Sequence, residues 1–161
     1  MDKGRALRID AKLPHYLWPE CFAAGVYLAN RTPTYRLGWD SPLSRLAKDL
    51  KRDIGRDIGL PSLAHLVAYG SRAYVHKKDN ELTANRARKL APRAHIGYLV
   101  GYDSTNIFRV WIPHLKTVIR TRDVVFDKTK KYNPDNPYIK KLLQESVENL
   151  IKEINIPESD S

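Results

Sequence analysis

Four short segments rich in β-branched and aromatic residues, which begin at residue 65, constrain the fold of this 161-residue chain more than any other feature. Turn-forming residues separate them, at 103–106 and again at 113–116. Strands this short and closely spaced pair antiparallel, and they suit a small β-barrel because a two-layer sandwich needs more strands. The segments are HLVAYGSRAYVHK, HIGYLVGY, NIFRVWIP and KTVIRTRDVVFD.

The first third of the chain has the periodicity of helices. Ser41 has the side chain of an N-cap, and it is followed by Pro42 at the first helical position, so a short helix is predicted through about Asp49. An earlier helix is predicted to start near Pro19 and to stop at Thr32-Pro33. Its apolar residues recur every three or four positions and comprise Leu17, Trp18, Cys21, Phe22, Val26 and Ala29.

Two stretches lack regular periodicity. The tandem repeat RDIGRDIG at 52–59 places glycines that break both helix and strand patterns, which predicts a loop. After Asp127 the polar sequence KTKKYNPDNP predicts a linker. We therefore expect an α+β chain with a helical segment over 1–50, a loop over 51–64, a barrel over 65–127, and a linker and helix over 128–161.

The C-terminal segment is predicted to form an amphipathic helix. Its apolar residues fall at helical spacing and comprise Ile139, Leu142, Leu143, Val147, Leu150, Ile151 and Ile154. We expect this apolar face to dock on the barrel of the same chain, and docking on a partner is the alternative.

The net charge of +10 is unevenly placed along the chain. Residues 1–127 carry 22 Lys and Arg against 12 Asp and Glu, whereas residues 128–161 carry six of each. A surplus of this kind favours an anionic partner, of which nucleic acid is the commonest. Residues 72–93 carry seven cations against only Asp79 and Glu81, most of them between the first two strand segments, and these are candidate phosphate contacts: Arg72, Lys77, Lys78, Arg86, Arg88, Lys89 and Arg93.

The later strands add further candidates for a nucleic-acid interface. Alternation places Phe108, Val110 and Ile112 on one face of the third segment, and if that face is the core, Arg109 and Trp111 point outward together. An arginine beside an exposed indole suits a sugar-phosphate backbone and an unpaired base. The alternative is that Trp111 packs beneath the C-terminal helix while Arg109 is solvated.

The fourth strand segment is basic and irregular. Arg120 and Arg122 are candidates for phosphate contact, with Lys116 at its start. Its alternation slips over 120–123, which predicts a β-bulge.

Motifs for catalysis, metals and membranes are absent from the sequence. It contains no Walker loop, no GxSxG, no HExxH and no Cys/His cluster with zinc spacing, and turn or capping roles explain the scattered carboxylates. We therefore predict no catalytic residue, no metal site and no cofactor. No apolar run approaches the ~20 residues of a membrane span. The single cysteine, Cys21, indicates a reducing compartment, so we expect the nucleus or the cytoplasm.

Five segments, taken in order, resemble the downstream half of the integrase region in copia-type LTR-retrotransposon Pol polyproteins. They span about residues 5–127: LPHYLWPECFAAGVYLANRTP, SPLSRL, HLVAYGSRAYV, RKLAPRAHIGYLVGYDSTNIFRVWIP and TRDVVFD. The resemblance implies that the first belongs to the end of the RNase H-like integrase catalytic core. It implies that the strands form the family's retroviral polymerase SH3-like domain, linked to DNA integration. It also implies DNA rather than RNA as the partner, and other Pol domains as further partners.

The resemblance carries over no catalytic position. The family's Asp-Asp-Glu triad and its zinc-binding His/Cys module correspond to no residue of the matching segments. We therefore expect a non-catalytic fragment that binds nucleic acid, with a protein-interaction or scaffolding module as the alternative. Residues 88–102 resemble the family signature K-L-x-P-R-A…G-x-x-V-G-Y, in which Gly97 and Gly101 allow close backbone approach.

Overall fold

The computed structural model describes residues 2–76, 94–137, 139–141 and 144. Helices precede strands in these residues, in agreement with the predicted α+β class. The elements are α1 (Asp2–Asp10), α2 (Trp18–Ala29), α3 (Pro42–Ile54), β1 (Ser71–His76), β2 (Ala94–Tyr102), β3 (Phe108–Ile112), β4 (Thr117–Thr121) and β5 (Val124–Lys131). Within this described part of the chain, no helix has the length and apolar character needed to cross a bilayer.

Helix α3 begins where the sequence predicts and ends later. The Ser41 hydroxyl accepts a hydrogen bond from the backbone N–H of Ser44 at 3.2 Å, which confirms the predicted cap. The helix continues through Ile54, beyond the predicted end at Asp49, and stops where Gly55 adopts a left-handed φ of +69°. The tandem repeat is therefore helical in its first part and irregular only afterwards.

Helix α2 packs through its small residues rather than its large ones. Pro19 lies in the first turn, as predicted. Cys21 and Ala24 are 1% exposed, whereas Phe22 is 41% exposed, so the predicted apolar stripe matches the packing face only in part, at Leu17 and Cys21. The cause is the close contact with α1, where a Cβ on Gly25 would lie 3.1 Å from the Gly4 nitrogen. Only small side chains fit an approach this close.

The five strands form one antiparallel sheet in the order β4-β3-β2-β1-β5. Although β4 and β5 are opposite edges, only Arg122 and Asp123 join them. A flat five-stranded sheet is about 19 Å across. The three residue steps from Thr121 to Val124 span at most about 11 Å, so the sheet has to curl.

Two predictions about this sheet are corrected. β4 and β5 remain edges, so the predicted small barrel is present as a curled sheet that does not close. The irregularity over 120–123 is the break between two strands rather than a bulge, with the Val124 N–H donating to the Arg122 carbonyl at 3.1 Å. Pairing register shifts instead between Ser71 and Arg72 and between Leu99 and Gly101.

Both faces of the central strands β2 and β3 are largely buried. Inside the curl, Val110 and Ile112 pack with Ala73 and Val75, and the rings of Phe108 and Phe126 lie 5.0 Å apart. The outer face packs against the helices and their connection. That second cluster comprises Ala11, Leu13, Leu17, Cys21, Ala24, Tyr69, Tyr98, Val100, Trp111, Tyr132 and Ile139.

The chain after the predicted barrel boundary is partly strand. β5 continues to Lys131 because β1 offers it a partner at Ser71, and Lys131 also reaches Asp10 at 2.8 Å. The predicted linker therefore starts inside a strand. Ile139 is 1% exposed in the outer cluster, which agrees with docking of this residue in cis. The remaining apolar positions of the predicted helix lie outside the described residues.

Gly97 sits where β2 passes closest to β3. A Cβ there would lie 2.5 Å from Val110 Cγ1 and 2.7 Å from the Trp111 carbonyl oxygen. At Gly101 the nearest atom would be Arg109 Cβ at 3.3 Å. The close-approach role predicted for Gly97 therefore has a specific steric basis.

We predict that Gly97→Ala lowers the free energy of unfolding by about 1–3 kcal/mol through overpacking. Gly101→Ala is the matched control and should change it by less than about 1 kcal/mol. Urea denaturation of the two variants measures the difference. Equal losses would mean that the clash with β3 is not the cause.

Candidate nucleic-acid interface

Six of the predicted phosphate contacts lie outside the described residues: Lys77, Lys78, Arg86, Arg88, Lys89 and Arg93. The structure does describe where their segment is attached. His76 and Ala94 are paired across β1 and β2, so residues 77–93 leave and rejoin the sheet at the same end.

Trp111 is buried and does not face solvent. It is 2% exposed, and its ring lies 5.2 Å from that of Tyr132 and 6.2 Å from that of Tyr16. The expectation that it points outward is therefore wrong, because the outer face of the sheet is covered as well as the inner one. Burial within an aromatic cluster leaves no free ring face for a nucleobase.

Arg109 and Arg120 are neighbours across β3 and β4, and each pairs with a carboxylate from another part of the fold. Arg109 donates to Glu20 of α2 at 3.0 Å, in a contact that is largely screened from solvent. Arg120 pairs with Asp103 in the turn between β2 and β3. Their charge is therefore compensated within the molecule, and Arg109 ties α2 to the sheet.

Arg72 lies within the sheet, half-buried between β2 and β5. Burial opposes its charge, but interactions with the side chains of Tyr74 and Tyr98 outweigh that effect, and its pKa is raised. The Arg72 side chain is therefore fixed in position within the sheet, whereas an arginine on a loop is free to move. Arg72 therefore supports the sheet beside the basic segment.

Arg122 is the exposed candidate nearest the attachment of the basic segment. It lies in the junction between β4 and β5, where the Asp123 carbonyl accepts from the His76 N–H at 3.3 Å. Across the same end of the sheet, the rings of His95 and His114 lie 5.2 Å apart, and His114 belongs to the turn that ends at exposed Lys116. We call this line of five residues the rim: Arg122, His76, His95, His114 and Lys116.

The lysine and the arginine of the rim, Lys116 and Arg122, are far enough apart to contact separate phosphates. They flank the five residues of β4, which at about 3.4 Å per residue puts them about 15–20 Å apart. The segment 77–93 is attached between them. Arg122 was a predicted binding residue and Lys116 was not, because the sequence pattern does not show that the turn containing His114 lies next to His95.

Most carboxylates in the described residues lie beside a cation. Nine of them lie within 4.0 Å of a lysine or arginine nitrogen, namely Asp10, Glu20, Asp40, Asp49, Asp53, Asp57, Asp103, Asp127 and Asp135. No such pair involves Lys116 or Arg122 in the described part of the chain. Within that part, no three His, Cys, Asp or Glu side chains lie together in a way that could hold a metal ion.

Comparison with known proteins places the strands in a family. Residues 71–141 match the family described as the retroviral polymerase SH3-like domain. Its start coincides with β1, and its end takes in the helical residues around buried Ile139. The match therefore covers the whole curled sheet together with the start of the C-terminal segment.

A curated relative extends the similarity into the helices. The retrovirus-related Pol polyprotein from transposon TNT 1-94 of Nicotiana tabacum is 30% identical over 131 residues, which is 81% of this chain. The chain spans only 9% of the length of that relative. No solved structure matches the chain.

We predict that Arg109 contributes to stability whereas Arg120 does not. Arg109→Met keeps the aliphatic stem but leaves Glu20 without its cation, which should cost about 1–2 kcal/mol of unfolding free energy. Arg120→Met removes an exposed pair and should cost less than about 0.5 kcal/mol. Urea denaturation measures both values, and similar losses would contradict the structural role of Arg109.

Proposed function

We propose that this chain binds nucleic acid without catalysing a reaction. The premise is that the chain belongs to the retrotransposon Pol polyproteins and carries their retroviral polymerase SH3-like domain. The matched region is not a catalytic domain. The function that fits is an accessory one, in which the chain holds DNA during integration while catalytic groups elsewhere in the polyprotein act on it.

One observation carries this proposal. Lys116 and Arg122 are exposed, they form no ion pair among the described residues, and they flank the attachment of a segment with six cations and two anions. Each phosphate that such a group contacts releases condensed counterions, which is the main source of sequence-independent affinity for DNA. A rim of this kind positions a backbone and reads no bases.

The sequence resemblance supports the further step to integration. It assigns the segment around α2 and α3 to the end of an RNase H-like integrase core and assigns no Asp-Asp-Glu position to this chain. A positively charged module beside a catalytic core increases the residence of DNA there by electrostatic attraction. DNA is the proposed partner on this ground, and RNA is the comparison for the experiment below.

A second candidate function is docking to other Pol domains. The turn after α2 exposes Tyr35 and Trp39, which are 80% and 70% exposed, with their rings 6.2 Å apart and Arg36 between them in sequence. Tyr, Trp and Arg are the residues that most often dominate the energy of protein interfaces. Light scattering of a Trp39→Ala variant in the presence of an adjoining Pol segment tests this candidate, because loss of the complex would support it.

We predict a steep salt dependence of binding to duplex DNA that depends on the rim. The variant Lys116→Gln/Arg122→Gln should lower the slope of log K against log salt concentration by about 2, because each lost phosphate contact removes about 0.9. Fluorescence anisotropy with a labelled duplex between 50 and 200 mM salt measures the slope.

The matched control is Lys51→Gln/Arg52→Gln, which makes the same change in net charge on α3, where both cations are already paired with carboxylates. Its slope should match that of the unmodified chain. An equal fall in both variants would mean that net charge alone attracts DNA. A flat profile in the unmodified chain would contradict nucleic-acid binding altogether.

A further inference from the structure

A pocket lies at the contact between α1 and α2. A Cβ on Gly4 would lie 3.0 Å from the Phe22 Cα, and one on Gly25 would lie 3.1 Å from the Gly4 nitrogen, so the two backbones touch. Side chains on either side of this crossing enclose a volume of about 330 Å³. That size falls within the range of small-ligand sites.

Two aromatic rings form one wall of the pocket. Trp18 is 52% exposed and Phe22 41% exposed, and their ring centroids lie 5.9 Å apart at an angle of 59°. Both belong to α2, whose packing face is made of smaller residues, so neither ring is needed for the core. Exposed aromatic faces of this kind are surfaces on which a base stacks whatever its identity.

The opposite wall of the pocket is positively charged. Arg5 and Arg8 project from α1, and His15 lies in the connection between the helices. Asp10 of α1 pairs with Lys131 at 2.8 Å and Glu20 of α2 pairs with Arg109 at 3.0 Å, so neither carboxylate compensates the arginines of the pocket. The arginines therefore keep their charge for an anion.

From this juxtaposition we infer that the pocket binds one unpaired nucleotide of a single strand, with its base against Trp18 and Phe22 and its phosphate against Arg5 and Arg8. A base inside a duplex is stacked on both faces and cannot reach the rings unless it leaves the helix. The inference rests on the proposed function and specifies the substrate class, because it adds a preference for single-stranded nucleic acid that the rim does not provide.

The experiment follows the fluorescence of Trp18 in a Trp39→Phe background, in which Trp111, the remaining tryptophan, is buried. The probes are a 12-residue oligothymidylate and a 12-base-pair duplex. We expect the single strand to quench the fluorescence. Both Trp18 variants lack this reporter, so the anisotropy of fluorescently labelled probes measures their affinities. Trp18→Ala should weaken single-strand binding about tenfold or more, whereas Trp18→Phe keeps a ring and restores most of the affinity.

The matched control is Leu60→Ala, which removes an apolar side chain that is 71% exposed and should leave single-strand affinity unchanged. Duplex affinity should be the same in all three variants, because the rim is intact. Trp18 is half exposed, so the alanine variant should fold, and its thermal unfolding curve verifies this directly. Arg5→Gln/Arg8→Gln should reduce the salt slope for the single strand alone.

Two results would overturn the inference while leaving the proposed function standing. One is duplex binding with a steep salt dependence and no effect of Trp18→Ala on the single strand. The other is a change in oligomeric state in Trp18→Ala with unchanged oligonucleotide affinity, which would make the rings a protein contact. Absence of binding to either probe would overturn both the inference and the proposed function.

Discussion

The short junction of Arg122 and Asp123 is the constraint on which the rest of this structure depends. It holds the two edges of a five-stranded sheet within a few residues of each other, and the sheet has to curl to satisfy it. The curl encloses one apolar cluster and leaves a convex face that the helices and Ile139 cover. Because both faces are occupied, the ends and edges of the sheet are the places left for exposed charge.

The same constraint explains which features could be predicted from sequence. The capping of α3 by Ser41 and the start of α2 near Pro19 are local events, and local chemistry predicts them correctly. The strands were also identifiable from their composition. The position of Trp111 was not, because alternation along a strand separates inside from outside only when one face is exposed.

Helix α2 shows the other limit of sequence reasoning. The largest apolar residues of a helix usually mark its buried face, but here Gly25 and Gly4 bring two backbones together and the small side chains are buried instead. Nothing in the sequence of α2 alone reveals that α1 approaches so closely. The exposure of Phe22 and Trp18 is thus a tertiary property, and so is the pocket that they form with the arginines of α1.

The burial of the sheet faces also determines where charge remains exposed. The sequence pattern assigns Arg109 and Arg120 to binding, but they compensate the charges of Glu20 and Asp103. Lys116 and Arg122 remain at the end of the sheet where the basic segment is attached. Our central claim is that nucleic acid contacts this rim and not the strand faces. Amide chemical-shift mapping during a titration with duplex DNA tests it most directly. We expect the largest shifts at His76, His95, Lys116 and Arg122; shifts centred on Arg109 and Trp111 would contradict the account.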